Sequence, residues 1–199
     1  MTMRENEKRW DELLQIRTGG LDDKSSDEHH YRYEPTPYAV LERLAESGHF
    51  GRGDTVLDYG CGKGRVCFFL SCRTKAETIG IEYDERIYRA ALENRKTAAA
   101  GRKTSFVQMA AEEYEVPAAV NRCFFFNPFS VEILSKVMGR IIGSWYEHPR
   151  EVLLFFYYPF EDYVAWLMSA ELLEFCEEIA CGTDPRQRLM VFRLPSYEA

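Results

Sequence analysis

The stretch VLDYGCGKGR, from Val56 to Arg65, carries glycines at positions 60, 62 and 64 directly after an apolar run. A chain gives up side-chain packing where it places glycines this densely, and the backbone can then come close to a ligand. Phosphates, a dinucleotide and a sulfonium compound are all candidate ligands for such a turn. Cys61, in its middle, adds metal and thiol chemistry to the alternatives.

The end of this stretch does not match either of two common nucleotide-binding motifs. A phosphate-binding P-loop needs lysine and then serine or threonine after its last glycine, whereas Gly64 is followed by Arg65 and Val66. A dinucleotide fingerprint needs its third glycine one position later, where the chain has Arg65. Glu82 ends a second apolar run about 20 residues on, where a carboxylate can accept hydrogen bonds from both hydroxyls of a ribose. The pattern predicts a nucleoside-like cofactor without a pyrophosphate.

Apolar runs alternate with helical patterns along most of the chain. This alternation predicts a parallel sheet with helices on both faces, and the last two runs, joined by GTDPRQ, predict an antiparallel hairpin. We expect an α/β fold, a single doubly wound and mostly parallel sheet of about seven strands that ends in this C-terminal hairpin. The predicted strands are TVLDYG, TIGIEY, TSFVQMA, RCFFFN, EVLLFFYY, ELLEFCEEIAC and RLMVFRL. Predicted helices cover residues 4–16, 64–73, 85–100, 130–143 and 160–169, and a further helix is predicted from Pro37, with Thr36 as its N-cap, to a stop at Gly48.

The sequence divides at the start of this alternation. We interpret residues 1–35 as an N-terminal helix followed by a mobile lid or substrate segment, and residues 36–199 as the α/β domain. Ligands of open parallel sheets bind beyond the carboxyl ends of the strands. The first four predicted strands end near Asp58, Glu82, Met109 and Asn127, and we expect these residues to converge.

Composition narrows the function classes. The 199 residues carry a net charge of −7, which argues against non-specific binding to nucleic acid. No stretch approaches the roughly 20 apolar residues of a membrane span, and the N-terminus lacks the apolar core of a signal peptide. We expect a cytoplasmic chain without a membrane partner, whose six cysteines stay reduced. No Cys-x-x-Cys pair occurs, so we expect no metal site. The oligomeric state stays open.

VLDYGCGKGRV together with IGIEYDE resembles the first two motifs of the class I S-adenosylmethionine-dependent methyltransferases, over roughly residues 31–194. The resemblance implies S-adenosyl-L-methionine as cofactor and S-adenosyl-L-homocysteine as product. It implies that the glycine turn approaches the methionine part, with an acid beneath it, and that an acid holds the ribose beside a residue that flanks adenine. The corresponding residues here are Gly60, Cys61, Gly62 and Gly64, then Asp58, then Glu82 and Tyr83.

Two further segments bear on the same site. Met109 and Ala110 stand where the family often has Gly-Asp, so adenine would rely on the backbone of Ala110 and Ala111 or on Glu112. The segment YRYEPTPYAVLERL resembles a lead-in of some small methyltransferases, which closes over the methionine end of the cofactor. The matching residues are Tyr31, Tyr33 and Thr36.

FFFNPFS, at the end of the fourth predicted strand, resembles the Asn/Asp-Pro-Pro-Tyr/Phe motif of amino-group methyltransferases with one proline missing. By this resemblance Asn127 accepts a hydrogen bond from an amine nucleophile and positions the substrate. The alternative is equally weighted: Asn127 as N-cap and Pro128 as first residue of the next helix. Tyr157, Tyr158 and Pro159 end the fifth predicted strand and are candidates for the same pocket.

Three functions follow from these observations. The first is a methyltransferase that acts on an amine or another heteroatom of a protein side chain or small molecule, with nucleic acid disfavoured by the acidic composition. The second is an NAD(P)-dependent oxidoreductase of Rossmann type, against which Arg65 argues. The third is a non-catalytic partner protein that binds S-adenosylmethionine. Methyl transfer needs positioning more than a dedicated catalytic group.

Overall fold

The computed structural model describes residues 2–20 and 33–197, and it confirms the predicted α/β architecture. Seven strands of the described chain form one sheet in the order β3-β2-β1-β4-β5-β7-β6. The first five strands run parallel, whereas β7 lies antiparallel to both of its neighbours, β5 and β6. The strands are β1 (Thr55–Tyr59), β2 (Glu77–Glu82), β3 (Thr104–Gln108), β4 (Arg122–Phe125), β5 (Val152–Tyr157), β6 (Glu174–Ala180) and β7 (Arg188–Leu194).

Six α-helices accompany the sheet in the described residues. They are α1 (Met3–Leu14), α2 (Tyr38–Glu46), α3 (Arg65–Thr74), α4 (Glu85–Thr97), α5 (Val131–Glu147) and α6 (Glu161–Ser169). None of these helices has the length and apolar character that a membrane crossing requires.

Two apolar cores cover the two faces of the sheet, because successive strand residues point to opposite sides. In β4, Phe124 belongs to one core, while Cys123 and Phe125 belong to the other. The first core receives buried residues from α1, α2 and α3, and the second receives them from α5 and α6. Burial on both sides explains why the strands of the sequence read as continuous apolar runs.

Helix α1 is packed into the first core. The Trp10 ring meets Phe69 of α3 edge-on at 4.8 Å, and its Nε1 donates to Glu42 Oε1 of α2 at 2.7 Å. Leu14 is also buried there. The N-terminal helix predicted from the sequence therefore packs an apolar stripe, with Trp10 and Leu14, onto this core.

The start of α5 rules out one of the two interpretations of Asn127. This helix begins at Val131, and its N-cap is Ser130. Asn127 is three residues earlier, with a left-handed φ of 39°. The prediction that Asn127 and Pro128 cap this helix is therefore wrong: Asn127 instead turns the chain at the end of β4, a conformation that asparagine adopts more readily than most residues.

Candidate cofactor site

A pocket opens at the carboxyl ends of β1, β2 and β4, where the strand order reverses. It contains about 970 Å³ of empty space, including its open mouth. This is the crevice where doubly wound sheets bind ligands. Most predicted site residues line it, namely Tyr33, Thr36, Asp58, Gly60, Cys61, Glu82, Tyr83, Ala111, Glu112 and Asn127. Gly62, Gly64 and Ala110 are not among the lining residues, and Tyr31 lies outside the described residues.

Glu82, at the end of β2, joins the glycine turn to the start of α4. Its Oε2 accepts a hydrogen bond from the Gly62 backbone N–H at 2.9 Å, and its Oε1 accepts one from Asp84 N–H at 2.9 Å. Burial raises the pKa of Glu82, while these backbone donors lower it. The carboxylate is thus oriented at both oxygens, and each oxygen can still accept from a ligand hydroxyl.

Asp58 lies beneath the glycine turn and is only 2% exposed. The Cys67 Sγ donates to its Oδ2 at 3.5 Å. The pKa of Asp58 is raised to about 7, chiefly by burial and in smaller part by the Glu82 charge, while the hydrogen bond from Cys67 opposes the shift. A cationic ligand group beside this carboxyl would favour its ionised form and lower the pKa again.

The glycine turn is left-handed at Gly60, Gly62 and Gly64, with φ of 70°, 56° and 86°. A Cβ on Gly62 would come within 2.1 Å of the Tyr33 ring, and one on Gly60 within 2.5 Å of the Pro128 Cβ. A Cβ on Gly64 would lie 2.5 Å from the Phe106 ring. The missing side chains therefore make room for neighbouring protein groups, and of the three glycines only Gly60 also lines the pocket.

The residues that follow β2 and β3 also line the pocket. Tyr83 is 53% exposed at its rim. After β3, Ala111 opens a short 3₁₀ turn that carries Glu112, whose Oε2 is buried and has no hydrogen-bond partner among the described residues. A buried oxygen without a partner is costly, so this atom is suited to accept from a ligand N–H.

Asn127 connects the ends of β4 and β5. Its Nδ2 donates to the Tyr158 carbonyl at 2.6 Å, and its Oδ1 accepts from Phe160 N–H at 3.3 Å. Tyr158 is also left-handed, with a φ of 51°. Two left-handed backbone positions are thus joined by a hydrogen bond, and such positions concentrate at functional sites. Asn127 lines the pocket, whereas the other candidates from the fifth predicted strand, Tyr157, Tyr158 and Pro159, are not among its lining residues.

The pocket also contains residues that the sequence interpretation did not assign to it, among them Glu34, Asp84, Arg65 and Phe126. Glu34 stands inside the YEPTP lead-in and Asp84 follows Tyr83, so both lie next to predicted residues. Among the residues that the structure describes, five lining side chains are acidic (Glu34, Asp58, Glu82, Asp84, Glu112), and Arg65 is the one lining cation. Arg65 is paired with Glu7, so the pocket as a whole is negative.

The sheet order, the glycine turn after β1 and the acid at the end of β2 together define the class I methyltransferase fold. The chain also matches the family model described as "Methyltransferase domain" over residues 56–147, just under half of its length. The resemblance read from the glycine turn and Glu82 is thereby confirmed.

One curated relative is a protein-lysine N-methyltransferase of Saccharolobus islandicus, 35% identical over 75 residues. This stretch is 37% of the present chain and 47% of the relative, so the chain spans about half the length of the relative it matches.

Solved structures share the fold at low sequence identity. An RNA methyltransferase from Salinibacter ruber, in complex with S-adenosyl-L-homocysteine, is 20% identical with a TM-score of 0.57, covering 83% of this chain and 97% of that one. A tRNA (m1A58) methyltransferase from Aquifex aeolicus is 16% identical with a TM-score of 0.61, covering 96% and 76%. The magnesium protoporphyrin IX methyltransferase of Synechocystis, with bound S-adenosylmethionine, is 16% identical with a TM-score of 0.56, covering 78% and 76%.

Proposed function

We propose that this protein is an S-adenosylmethionine-dependent methyltransferase whose acceptor is an amine of a protein side chain or a small molecule. The observation that carries the proposal is Glu82, which lines the pocket at the end of β2 and accepts from the Gly62 N–H of the glycine turn. The negative character of the pocket supports a cofactor that bears a sulfonium and an ammonium group, since opposite charges attract most strongly where water is scarce.

The roles of the binding residues follow from this proposal. Glu82 accepts from the ribose hydroxyls, while Tyr83, the backbone of Ala111 and the buried Glu112 Oε2, all at the pocket, recognise adenine. The backbone of Ala110, next to these lining residues, belongs to the same proposed contact. The methionine end belongs to the glycine turn with Asp58 and Cys61, and to the lead-in residues Tyr31, Tyr33 and Thr36. When bound, the cofactor supplies an electrophilic methyl group.

The chain itself has to orient the acceptor and help its proton leave. Asn127 positions the acceptor amine, and its two hydrogen bonds to the loop after β5 support this role by fixing its side chain. An amine attacks only as the free base, so a nearby oxygen has to accept its proton or hydrogen-bond to its N–H. Alignment of the two reactants supplies most of the remaining rate enhancement.

A protein lysine is the acceptor that we favour. The curated relative acts on protein lysines, and a negative pocket attracts a cationic side chain. Two of the structural neighbours methylate RNA, but the net charge of −7 disfavours a nucleic-acid acceptor here.

We further propose that residues 1–35 and the loops after β4 and β5 hold the acceptor against the domain of residues 36–199. A cytoplasmic location belongs to the same proposal and rests on cysteine usage.

Thermal unfolding with added ligands tests the cofactor assignment. A ligand that binds only the native chain raises the midpoint by mass action, so S-adenosylmethionine and S-adenosylhomocysteine should raise it and NAD(P) should not. The Glu82→Ala variant should lose this shift. A shift with NAD(P) alone would instead support the oxidoreductase.

Transfer of a labelled methyl group tests the acceptor. The protein is incubated with methyl-labelled cofactor and separated protein, RNA and small-molecule fractions of a cell lysate. We expect label on lysines of the protein fraction. Label on RNA would contradict the acceptor class, and label in no fraction, despite cofactor binding, would favour a non-catalytic binding protein.

A further inference from the structure

Arg65 is a buried cation next to the glycine turn, with 3% of its surface exposed. Its Nε donates to Thr18 Oγ1 at 2.7 Å, and its Nη1 donates to the Thr36 carbonyl at 3.1 Å and to a Glu7 carboxylate oxygen. The guanidinium also lies 4.2 Å from the centre of the Tyr38 ring. One side chain therefore holds three separate N-terminal segments: α1, the residues after it, and the lead-in to α2.

The N-terminal partners of Arg65 are bonded to one another as well. Asp11 accepts from the Thr18 N–H at 2.8 Å and from the Thr18 hydroxyl at 2.7 Å, and the Tyr38 hydroxyl donates to Asp11 at 2.6 Å. Glu7 accepts from the Tyr38 N–H at 2.9 Å. Two carboxylates on successive turns of α1 thus compensate the buried charge, which would otherwise be costly.

The same network reaches the glycine turn through Tyr33. The Tyr33 hydroxyl donates to the Thr18 carbonyl at 2.7 Å, while its ring lies over Gly62, where no Cβ could fit. Lys63 Nζ lies 4.7 Å from the centre of the same ring and donates to the Gly19 carbonyl at 3.2 Å. Residues 33–36 all line the cofactor pocket. The wall that they form therefore depends on the segment that Arg65 holds.

We propose that Arg65 is a positioning residue, which fixes residues 33–36 as a wall of the cofactor pocket by tying them to α1 and Thr18. The proposal rests on the function proposed above and assigns a role to a residue of the glycine motif that the resemblance leaves without one. Arginine is required because its planar fork reaches Thr18, Glu7 and Thr36 at once, whereas the ammonium of a lysine is a single point charge. Arg65, which stands where a dinucleotide fingerprint requires glycine, therefore has a structural role in this proposal.

Calorimetric titration of S-adenosylhomocysteine into wild type and Arg65→Lys tests the proposal. We expect the variant to bind at least about tenfold more weakly, because hydrogen bonds from a charged group are lost. Arg150→Lys is the matched control: Arg150 donates to Val120, Ser144 and His148 carbonyls, none of which belongs to a pocket-lining residue. This control should lose stability and keep its affinity. Equal affinity of Arg65→Lys and wild type would overturn the proposal, whereas absence of binding by wild type would overturn the proposed function itself.

Two further measurements separate positioning from general destabilisation. Amide exchange at Thr36 and Tyr38 should accelerate in Arg65→Lys and stay unchanged in Arg150→Lys. In a double-mutant cycle, Tyr33→Phe should weaken binding much less in the Arg65→Lys background than in wild type, because both changes loosen one segment. With an acceptor in hand, the loss should fall on KM for the cofactor more than on kcat. Additive effects, or unchanged exchange, would contradict the proposal.

Discussion

The left-handed glycines are sensitive to a single methyl group for two separate reasons. At Gly62 the backbone has a φ of 56°, and the added Cβ would overlap the Tyr33 ring. We expect Gly62→Ala to lower the free energy of unfolding by about 1–3 kcal/mol, since a left-handed residue with a side chain costs ~1–2 kcal/mol before any overlap. It should also weaken S-adenosylhomocysteine binding, because Tyr33 has to move.

Gly53→Ala is the control for this variant, since a Cβ there meets nothing within 4 Å. Urea unfolding and calorimetry measure both quantities. A Gly62→Ala protein as stable and as tightly binding as Gly53→Ala would show that the Tyr33 contact is unimportant.

Asp58 makes the stability of the free protein depend on pH in a defined direction. Its pKa is about 7 in the folded chain against an ordinary value of 3.8. Between these values the folded state keeps a proton that the unfolded state has lost, so the contribution of Asp58 to the free energy of unfolding falls as pH rises from 4 to 7. Asp58→Asn should therefore be more stable than wild type at pH 8 by roughly 2–4 kcal/mol.

The Asp58→Asn advantage should shrink towards pH 4, where the wild-type carboxyl is protonated in both states. Asp162→Asn, at an exposed position in the first turn of α6, should follow the wild-type pH profile. Denaturant unfolding at several pH values measures both variants. Parallel curves for Asp58→Asn and wild type would contradict the assigned pKa shift.

The location of Asp58 and Glu82 at the pocket could be predicted from the sequence, whereas the conformation of Asn127 could not, and both outcomes have a physical reason. Acids at the ends of buried strands have few alternative roles, and the sheet brings those ends together. Asparagine before proline fits both a helix N-cap and a left-handed turn, and the local sequence does not separate these two conformations. The partners that decide it, Tyr158 and Phe160, are about thirty residues away.

At the scale of elements, the ends of β4 and β5 are held together by one side chain. Asn127→Ala removes both of its hydrogen bonds and keeps the left-handed strain, whereas Asn127→Gly removes the bonds and relieves the strain. We expect both variants to exchange the Phe160 amide faster than wild type. The alanine variant should be less stable than the glycine variant by about 1 kcal/mol.

Hydrogen exchange and thermal unfolding measure these two effects separately. If methyl transfer requires this connection, both variants lose activity, and the loss follows exchange rather than stability. If the Phe160 amide exchanges at the wild-type rate in both variants, the loop after β5 is held by other contacts.

Strand and helix positions follow from periodicity, but their non-local contacts do not. The predicted helix over 85–100 ends at Thr97, and the predicted helix over 130–143 continues to Glu147. These are differences of a few residues at helix ends, where local signals are weakest. The contact of α1 with Arg65 lies beyond such patterns, because it joins residues 58 positions apart through buried charge. The apolar stripe of α1 indicates a buried face without indicating its partner.

At the scale of the whole molecule, the sheet order collects acids that are distant in sequence. Glu34, Asp58, Glu82 and Glu112 come from four parts of the chain and line one pocket. Burial raises the pKa of both Asp58 and Glu82, and the charge of a neighbouring acid (Glu82 at Asp58, Asp84 at Glu82) adds to it, so protonation of these two carboxyls is favoured in the free protein. A cationic ligand reverses this preference, so binding and proton release are coupled.

This coupling predicts the pH dependence of cofactor binding. S-adenosylmethionine should bind more tightly as pH rises from 6 to 8, because Asp58 has to ionise beside the cationic methionine end that we assign to it. The dissociation constant should change by at most about tenfold per pH unit for one released proton, and should level off above pH 7–8. S-adenosylhomocysteine lacks the sulfonium charge and should show a shallower dependence. Calorimetry in buffers of different ionisation enthalpy measures the released protons directly. In Asp58→Asn the difference in slope between the two ligands should disappear, and its persistence would mean that another group responds to the sulfonium.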